Sequence, residues 1–353
     1  MSLENLRRKI DSLDKKIVQL LNLRANITLD IARIKNKLGR SIYSPDRERK
    51  VLRKVIAAGK GVMNAAALEA IYREIMSCSL ALEKPLRIAY LGPEATFTHL
   101  AALKRFGQQV DYIACQSISD VFLEVERQAT DYGVVPIENS IEGAVTHTLD
   151  VFMDADLRIC AQIILDVAHN LLANCPKAKI RCIYSNPQVF GQCRLWLQEN
   201  LPEAERIEVS STTRAAQLAA EKRNSACIAS SLAAKVYKLK IVAADIEDSP
   251  HNVTRFLVIG KDDVPATGCD KTSIMFSIKD RVGALHDMLL PFKKYGISLT
   301  KIESRPSKKK AWDYYFFVDL QGHRDNPKVK KALAELENKC KFLKVLGSYP
   351  IGE

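Results

Sequence analysis

From Leu3 to Leu38 the apolar residues fall at Leu3, Leu6, Ile10, Leu13, Ile17, Leu20, Ile27, Ile31 and Leu38, always three, four or seven apart. This is the period of one long amphipathic helix of about ten turns, with Gly39 expected to end it. Such a rod cannot bury its stripe alone, so it needs a partner surface. Arg24 lies on the line joining Ile17 and Ile31, and Lys35 lies four residues beyond Ile31. Both cations therefore point from the middle of the stripe, where an unpaired charge costs several kcal/mol. Snorkelling or pairing with acids such as Glu48 would relieve that cost; so would a small dianion held between the helices. Arg7 sits about 100° off the line, where it can reach another helix or subunit.

Two more helices follow. Ser44 is expected at an N-cap with Pro45 at the first helical position, opening a helix that the Gly59 to Gly61 region closes. The third runs from about Asn64 to Glu83 on Leu68, Ile71, Ile75, Cys78 and Leu82. Ser79 and Glu83, four residues apart, face one ligand together.

After Lys84-Pro85 the period changes to short strands alternating with helices. The first series is strand 87–91, helix 96–106, strand 110–114, helix 117–128 and strand 132–136. The second, from Ile180, is strand 180–184, helix 188–199, strand 207–209, helix 213–221, strand 226–229 and helix 232–237. Alternating βα units predict two doubly wound lobes with a ligand crevice at the strands' carboxyl ends. Polar clusters fall at those ends: Gly92 to Thr98, Pro136 to Gly143, and Ser185-Asn186-Pro187-Gln188. Turns of this kind aim backbone N–H groups at anions. Ser249 to Phe256 breaks at Pro250 and enters the apolar strand 256–259, setting the hydroxyl of Thr254 and the cation of Arg255 at its mouth.

Residues 265–271 form a second linker. Strand 272–278, helix 284–295, strand 297–304, a Lys308-Lys309-Lys310 turn, strand 312–320, helix 327–338 and strand 342–346 follow. That βαββαβ order is ferredoxin-like.

These residues resemble three known families. Leu6-Arg7, Ile10-Asp11, Asp14, Leu23-Arg24, Lys35, Pro45, Arg47-Glu48, Ser79 and Glu83 resemble the all-helical chorismate mutases across residues 3–83. The resemblance implies an interlaced dimer in which Arg24, Lys35 and Arg47 hold the substrate's carboxylates and ether oxygen, Glu48 holds its hydroxyl, and Arg7 is lent by the other chain. Ser44 stands where the family often has Asp, and Glu83 where it often has Gln. Beside the breaking ether oxygen a carboxylate would repel developing charge, whereas a protonated Glu83 would donate to it.

Gly92 to Thr98, Val135 to Gly143, Tyr184 to Cys193 and Asn252 to Phe256 resemble the prephenate dehydratases over roughly residues 86–262. The resemblance implies substrate binding by Thr96, Asn139, Ser140, Ser185 and Gln192 and catalysis by Thr254, with Arg255 and Phe256 completing the motif. Asn186 stands where His is frequent. Gly283-Ala284-Leu285-His286 and Glu303-Ser304-Arg305-Pro306 resemble the motifs by which ACT-type regulatory domains bind phenylalanine, implying L-phenylalanine between paired domains.

The expected organisation is a helical mutase domain (1–84), a two-lobed α/β dehydratase domain like the periplasmic binding proteins (86–264), and a ferredoxin-like ACT domain (272–353). Its expected activity is chorismate to prephenate to phenylpyruvate under end-product control, without cofactor or metal, in a homodimer or larger homo-oligomer. The alternative keeps only the dehydratase active, with the first helices as a dimerisation module.

Other classes fit less well. The net charge is +12, but residues 1–84 carry 18 Lys and Arg against 9 acids, residues 85–270 carry 18 against 23, and residues 271–353 carry 17 against 9. A basic excess confined to both ends, without aromatic interleaving, is a weak nucleic-acid footprint. An amino-acid-sensing regulator would want a helix-turn-helix, and the uninterrupted first helix has no such turn. The nine cysteines are scattered singly, so neither a zinc site nor a disulfide framework is expected. With no apolar leader and no stretch of about 18 apolar residues, a cytoplasmic protein without a membrane partner is expected.

Overall fold

The computed structural model describes residues 2–38, 43–278, 281–307 and 314–351. Gly39, the Lys308–Lys310 turn and Trp312 lie outside the described residues. Two compact units are present: the chain up to Arg87 with Arg105–Asp111, and Ile88–Lys104 with Tyr112 onward.

The first unit is helical. Helix α1 (Leu3–Lys37) starts where the Ser2 hydroxyl accepts the Asn5 N–H, and α3 (Ala65–Glu83) where the Asn64 side chain accepts the Ala67 N–H. Helix α2 (Pro45–Ala58) has Ser44 at its N-cap, yet the Ser44 hydroxyl donates to Asp46 Oδ1 at 2.6 Å and caps no backbone N–H. Only Thr28 and Ala32 of α1 are buried. The apolar row Leu6, Ile10, Leu13, Ile17, Leu20, Ile27 and Ile31 keeps 44–65% of its surface exposed, so among the described residues the stripe is only partly covered.

The second unit begins with β1 (Arg87–Leu91), α4 (Phe97–Phe106), β2 (Asp111–Cys115), α5 (Ile118–Glu126), β3 (Tyr132–Asn139), β4 (Gly143–Ala144), α6 (Thr146–Phe152) and β5 (Arg158–Asp166). The chain then crosses to a second lobe: β6 (Asn170–Ala173), β7 (Cys182–Ser185), α7 (Pro187–Gln192), α8 (Arg194–Asn200), β8 (Glu205–Glu208), α9 (Thr212–Glu221), β9 (Ser225–Ala229), α10 (Ser231–Val236) and β10 (Lys240–Ala243). It returns as β11 (Val253–Gly260), which lies between β3 and β5 in the order β2-β1-β3-β11-β5, with β4 on β3. The second lobe's order is β10-β6-β9-β7-β8.

Both sheets are mixed. β1 and β3 are parallel, as are β7 with β8 and with β9, but β11 runs antiparallel to both its neighbours and β6 antiparallel to β9. The expected doubly wound halves thus gain antiparallel strands wherever the chain passes between lobes. The helix expected over 188–199 is two helices broken at Cys193.

The last segment is β12 (Asp270–Ser277), α11 (Ala284–Lys294), β13 (Leu299–Pro306), β14 (Tyr314–Gln321), α12 (Pro327–Glu337) and β15 (Phe342–Pro350), in the antiparallel order β13-β14-β12-β15. Strand alternation gives this sheet two buried faces. Ile274, Phe276, Val318 and Leu320 pack under Met288, Phe292, Leu333 and Leu336 of the helices. Met275, Phe317, Leu346 and Tyr349 join Phe122, Phe152, Leu157 and Leu257 of the first lobe in one core. Where β15 crosses β5, a Cβ at Gly347 would strike the Ile159 backbone, so only glycine allows the approach.

Candidate active sites

In the second unit the polar groups converge where the chain passes between lobes. Asn139 ends β3 in an Asx turn, its Oδ1 accepting the N–H groups of Ile141 (2.9 Å) and Glu142 (3.0 Å). That fixes the amide, leaving Nδ2 to donate to Asn252 Oδ1 and to Thr254 Oγ1, each at 2.8 Å. Asn252 Nδ2 donates to Gln192 Oε1 at 3.1 Å, and Gln192 Nε2 to Glu142 Oε1 at 3.2 Å. Ser140 Oγ donates to the His251 carbonyl (2.8 Å) and accepts the Val253 N–H (2.9 Å), pinning the segment that leads into Thr254. One chain of amides therefore joins both lobes and runs in a single direction.

Thr254 stands at its end. Its Oγ1 accepts from Asn139 and, among the described residues, donates to no partner, so its hydrogen is available to a ligand. A bulge between Arg255 and Phe256 sets Thr254 opposite Asn139 and Phe256 opposite Pro136; bulges commonly re-aim side chains beside sites.

Other expected site residues have partners of their own. Thr96 Oγ1 donates to the Leu91 carbonyl (3.1 Å) and accepts the His99 N–H, closing the turn into α4. Ser185 is fully buried and donates to the Ile228 carbonyl at 3.1 Å. Phe256 is core. Arg255 points to the opposite face of β11, toward the C-terminal sheet: Nη1 reaches Asp319 Oδ2 at 2.6 Å, and Nη2 donates to Tyr349 Oη at 2.8 Å. Its strand partner Glu138 lies 3.1 Å from Lys301 Nζ. Sequence reasoning missed His169, Glu142 and the bridging role of Asn252. His169 Nε2 lies 2.7 Å from Gln192 Oε1, and the one signal for it was a polar pair, His169-Asn170, inside an apolar run.

In the helical unit, Arg24 Nη1 donates to Ser79 Oγ, and Lys35 Nζ to Glu83 Oε2 at 2.9 Å. Both expected cations thus turn toward α3, beside Thr28 and Ala32, and the Lys35–Glu83 pair is largely buried. Glu48 faces Arg105, its Oε2 3.0 Å from Nη2, with Arg105 Nε donating to Tyr43 Oη at 2.5 Å. Burial pushes the Glu48 carboxyl above the usual range, opposed first by Arg105 and then by Lys35. Arg7 and Arg47 are exposed.

In the C-terminal sheet, Gly283 takes φ 76° at the N-cap of α11, a conformation that favours glycine, with Ala284 buried behind it. Leu285 packs partly buried against the helix–sheet core. Along β13, Glu303 is half-buried, while Ser304 and Pro306 are exposed. Arg305 reaches Asp150 of α6 with Nε at 3.1 Å and Nη2 at 3.0 Å. It therefore braces the first lobe. Among the described residues no group of His, Cys, Asp and Glu could hold a metal ion, and no helix is long and apolar enough to cross a membrane.

Comparison with known proteins gives three adjoining matches: chorismate mutase type II over residues 6–84, prephenate dehydratase over residues 88–264, and the ACT domain over residues 272–338. The chain is 50% identical to a bifunctional chorismate mutase/prephenate dehydratase of Aquifex aeolicus, covering 99% of this chain and 98% of that one. It is 46% identical to one of Pseudomonas aeruginosa, covering 99% and 97%. A solved prephenate dehydratase from Arthrobacter aurescens, in complex with L-Phe, superposes with TM-score 0.71 at 33% identity, covering 75% of this chain and 90% of that one.

Proposed function

The chain belongs to the family of bifunctional chorismate mutase/prephenate dehydratases, and from that premise we propose how its residues divide the work. It rearranges chorismate to prephenate, dehydrates prephenate to phenylpyruvate, and answers to L-phenylalanine, the end product of that route. Residues 1–84 carry the mutase, 86–264 the dehydratase and 272–353 the ACT regulatory domain. The enzyme works in the cytoplasm, and no cofactor takes part.

The dehydratase reading is carried by the direction of the hydrogen bond at Thr254. Prephenate loses its ring carboxylate as CO2 while the C–C bonding pair enters the ring and the C–OH bond breaks; the departing hydroxide takes a proton and leaves as water. Aromatisation drives the step, so the enzyme's main task is a donor at that hydroxyl. Thr254, accepting from Asn139 with its own hydrogen free, suits it. Gln192, Asn252 and Ser140 hold the segment in place, while Arg255 and Phe256 support the strand from its far face and its core.

The mutase needs no nucleophile. It restricts a floppy dianion and stabilises the separating ether oxygen. Arg24 and Lys35 on one helix meet Ser79 and Glu83 on another, and these two cations take the carboxylates and ether oxygen of chorismate. Arg47, Glu48 and Ser44 close the pocket. The exposed apolar row of α1 is covered by a second copy, which brings Arg7 to its partner's site. Given chorismate and prephenate separately, the protein is expected to consume both; consumption of prephenate alone would leave the first helices as a dimerisation module.

L-Phenylalanine binds at Gly283, Ala284 and Leu285 and at Glu303 and Ser304, between paired ACT domains. The route inward is short, because the pair Thr254–Asn139 faces the cleft while the next pair along, Arg255–Glu138, faces the ACT sheet and is gripped by Asp319, Tyr349 and Lys301. Asp319→Asn is therefore expected to retain calorimetric binding of L-phenylalanine while weakening inhibition of the dehydratase several-fold. Undiminished inhibition in that variant would remove the clamp from the route.

A further inference from the structure

We propose that His169 is a positioning residue of the dehydratase: by holding the side-chain oxygen of Gln192 it sets the chain of amides that presents the Thr254 hydroxyl. The inference rests on the dehydratase reading and assigns a role to a residue outside the motifs that carry it.

The hydrogen-bond directions fix the ring's state. Asn139 Oδ1 takes two backbone N–H groups, so its nitrogen faces Asn252 and Thr254. Asn252 must then present its oxygen to Asn139 and its nitrogen to Gln192, and Gln192 its nitrogen to Glu142. Gln192 Oε1 is left as an acceptor for both Asn252 and His169. The imidazole consequently carries its proton on Nε2, 2.7 Å from that oxygen. Without that donor the Gln192 amide can flip and set its nitrogen against Asn252 Nδ2, breaking the bond that holds the segment leading into Thr254, while Asn139 stays fixed by its own turn.

The ring is held for this task. His169 lies in the crossover from the first lobe to the second, with its N–H donating to Glu247 Oε2 at 2.8 Å and its carbonyl accepting the Ile246 N–H at 2.8 Å. Phe97 packs edge-on at 5.6 Å between ring centroids, and the residue is 1% exposed. Nδ1 is buried and, among the described residues, has no hydrogen-bond partner. A second proton there would be an uncompensated buried charge. Burial holds the ring's pKa below its ordinary value, with the Gln192 bond and then the Glu247 charge pulling the other way. Among the described residues, the charged groups that act on it are Glu247 on the return crossover and, behind Gln192, Glu142; Phe97 of α4 and Gln192 of α7, which touch the ring, are uncharged.

Two variants test this. His169→Leu removes the donor and is expected to lower the kcat for prephenate by about 10²-fold, the scale of a displaced catalytic group, with KM changed less and mutase turnover unaltered. His169→Gln offers a side-chain N–H and is expected to recover most of that loss. Wild-type kcat/KM should fall on an acid limb below about pH 6.5, the ordinary histidine value, and His169→Gln, which cannot titrate, should lack that limb. Wild-type kcat in His169→Leu, or an acid limb retained in His169→Gln, overturns the role. If His169→Leu does not fold, the His169→Gln profile decides. A wild-type protein that turns over no prephenate would instead overturn the dehydratase reading itself.

Discussion

Thr254→Ala is expected to lower prephenate turnover by about two to four orders of magnitude, the range of a lost proton donor, with chorismate turnover unchanged. The substitution removes the hydroxyl that accepts from Asn139 and whose hydrogen is free for a ligand. Its structural cost is small by comparison: Asn139 Nδ2 keeps Asn252 Oδ1 at 2.8 Å, and one lost hydrogen bond is worth about 1 kcal/mol. Thr254→Ser should restore much of the activity. Assays on each substrate, with a thermal melt beside them, separate the outcomes: parallel loss of both activities with a lowered Tm would mean a folding defect and no role in the chemistry.

Arg24→Ala should lower mutase turnover by about 10²- to 10³-fold, as removal of one preorganised donor to developing charge does elsewhere, and leave prephenate turnover intact. Arg24 and Lys35 come from one helix, and their internal partners Ser79 and Glu83 from another, and in the proposed reading these contacts hold the two cations at the ligand's place. Arg7, exposed beside the stripe, belongs to the other chain's site in this reading. Arg7→Ala should therefore be impaired as well. Mixing the two variants so that chains exchange should recover up to about a quarter of wild-type activity, since half the dimers are mixed and each holds one intact site. No recovery would place Arg7 and Arg24 in the same site of one chain.

Much of this arrangement was legible before the structure. The first helix was expected over 3–38 and runs over Leu3–Lys37, because a sustained period leaves little freedom in where a helix lies. The C-terminal βαββαβ order also matches. Of the elements absent from the sequence reading, β5 and β6 sit in a mainly apolar stretch broken at Gln162, Asp166 and His169-Asn170, and pair with strands far along the chain, β11 and β9. No local pattern announces such pairing. The opposite facing of Thr254 and Arg255 follows from strand alternation alone, but its outcome, Arg255 locked to Asp319 and Tyr349, needed the packing of a sheet more than fifty residues downstream. Hydroxyls such as those of Thr96 and Ser185 read as ligands in a motif, yet the nearby carbonyls of Leu91 and Ile228 claim them. The α1 stripe is exposed in this chain, and in the reading proposed above its cover belongs to a second copy.

The central claim is that one chain carries two separable chemistries in sequence. Its most direct test feeds chorismate to Arg24→Ala, to Thr254→Ala and to their mixture, following prephenate and phenylpyruvate by ultraviolet absorbance. The account predicts unused chorismate with the first, accumulated prephenate with the second, and phenylpyruvate from the mixture as prephenate leaves one site and enters the other. Loss of both activities in either single variant, or phenylpyruvate from Thr254→Ala at the wild-type rate, would contradict it.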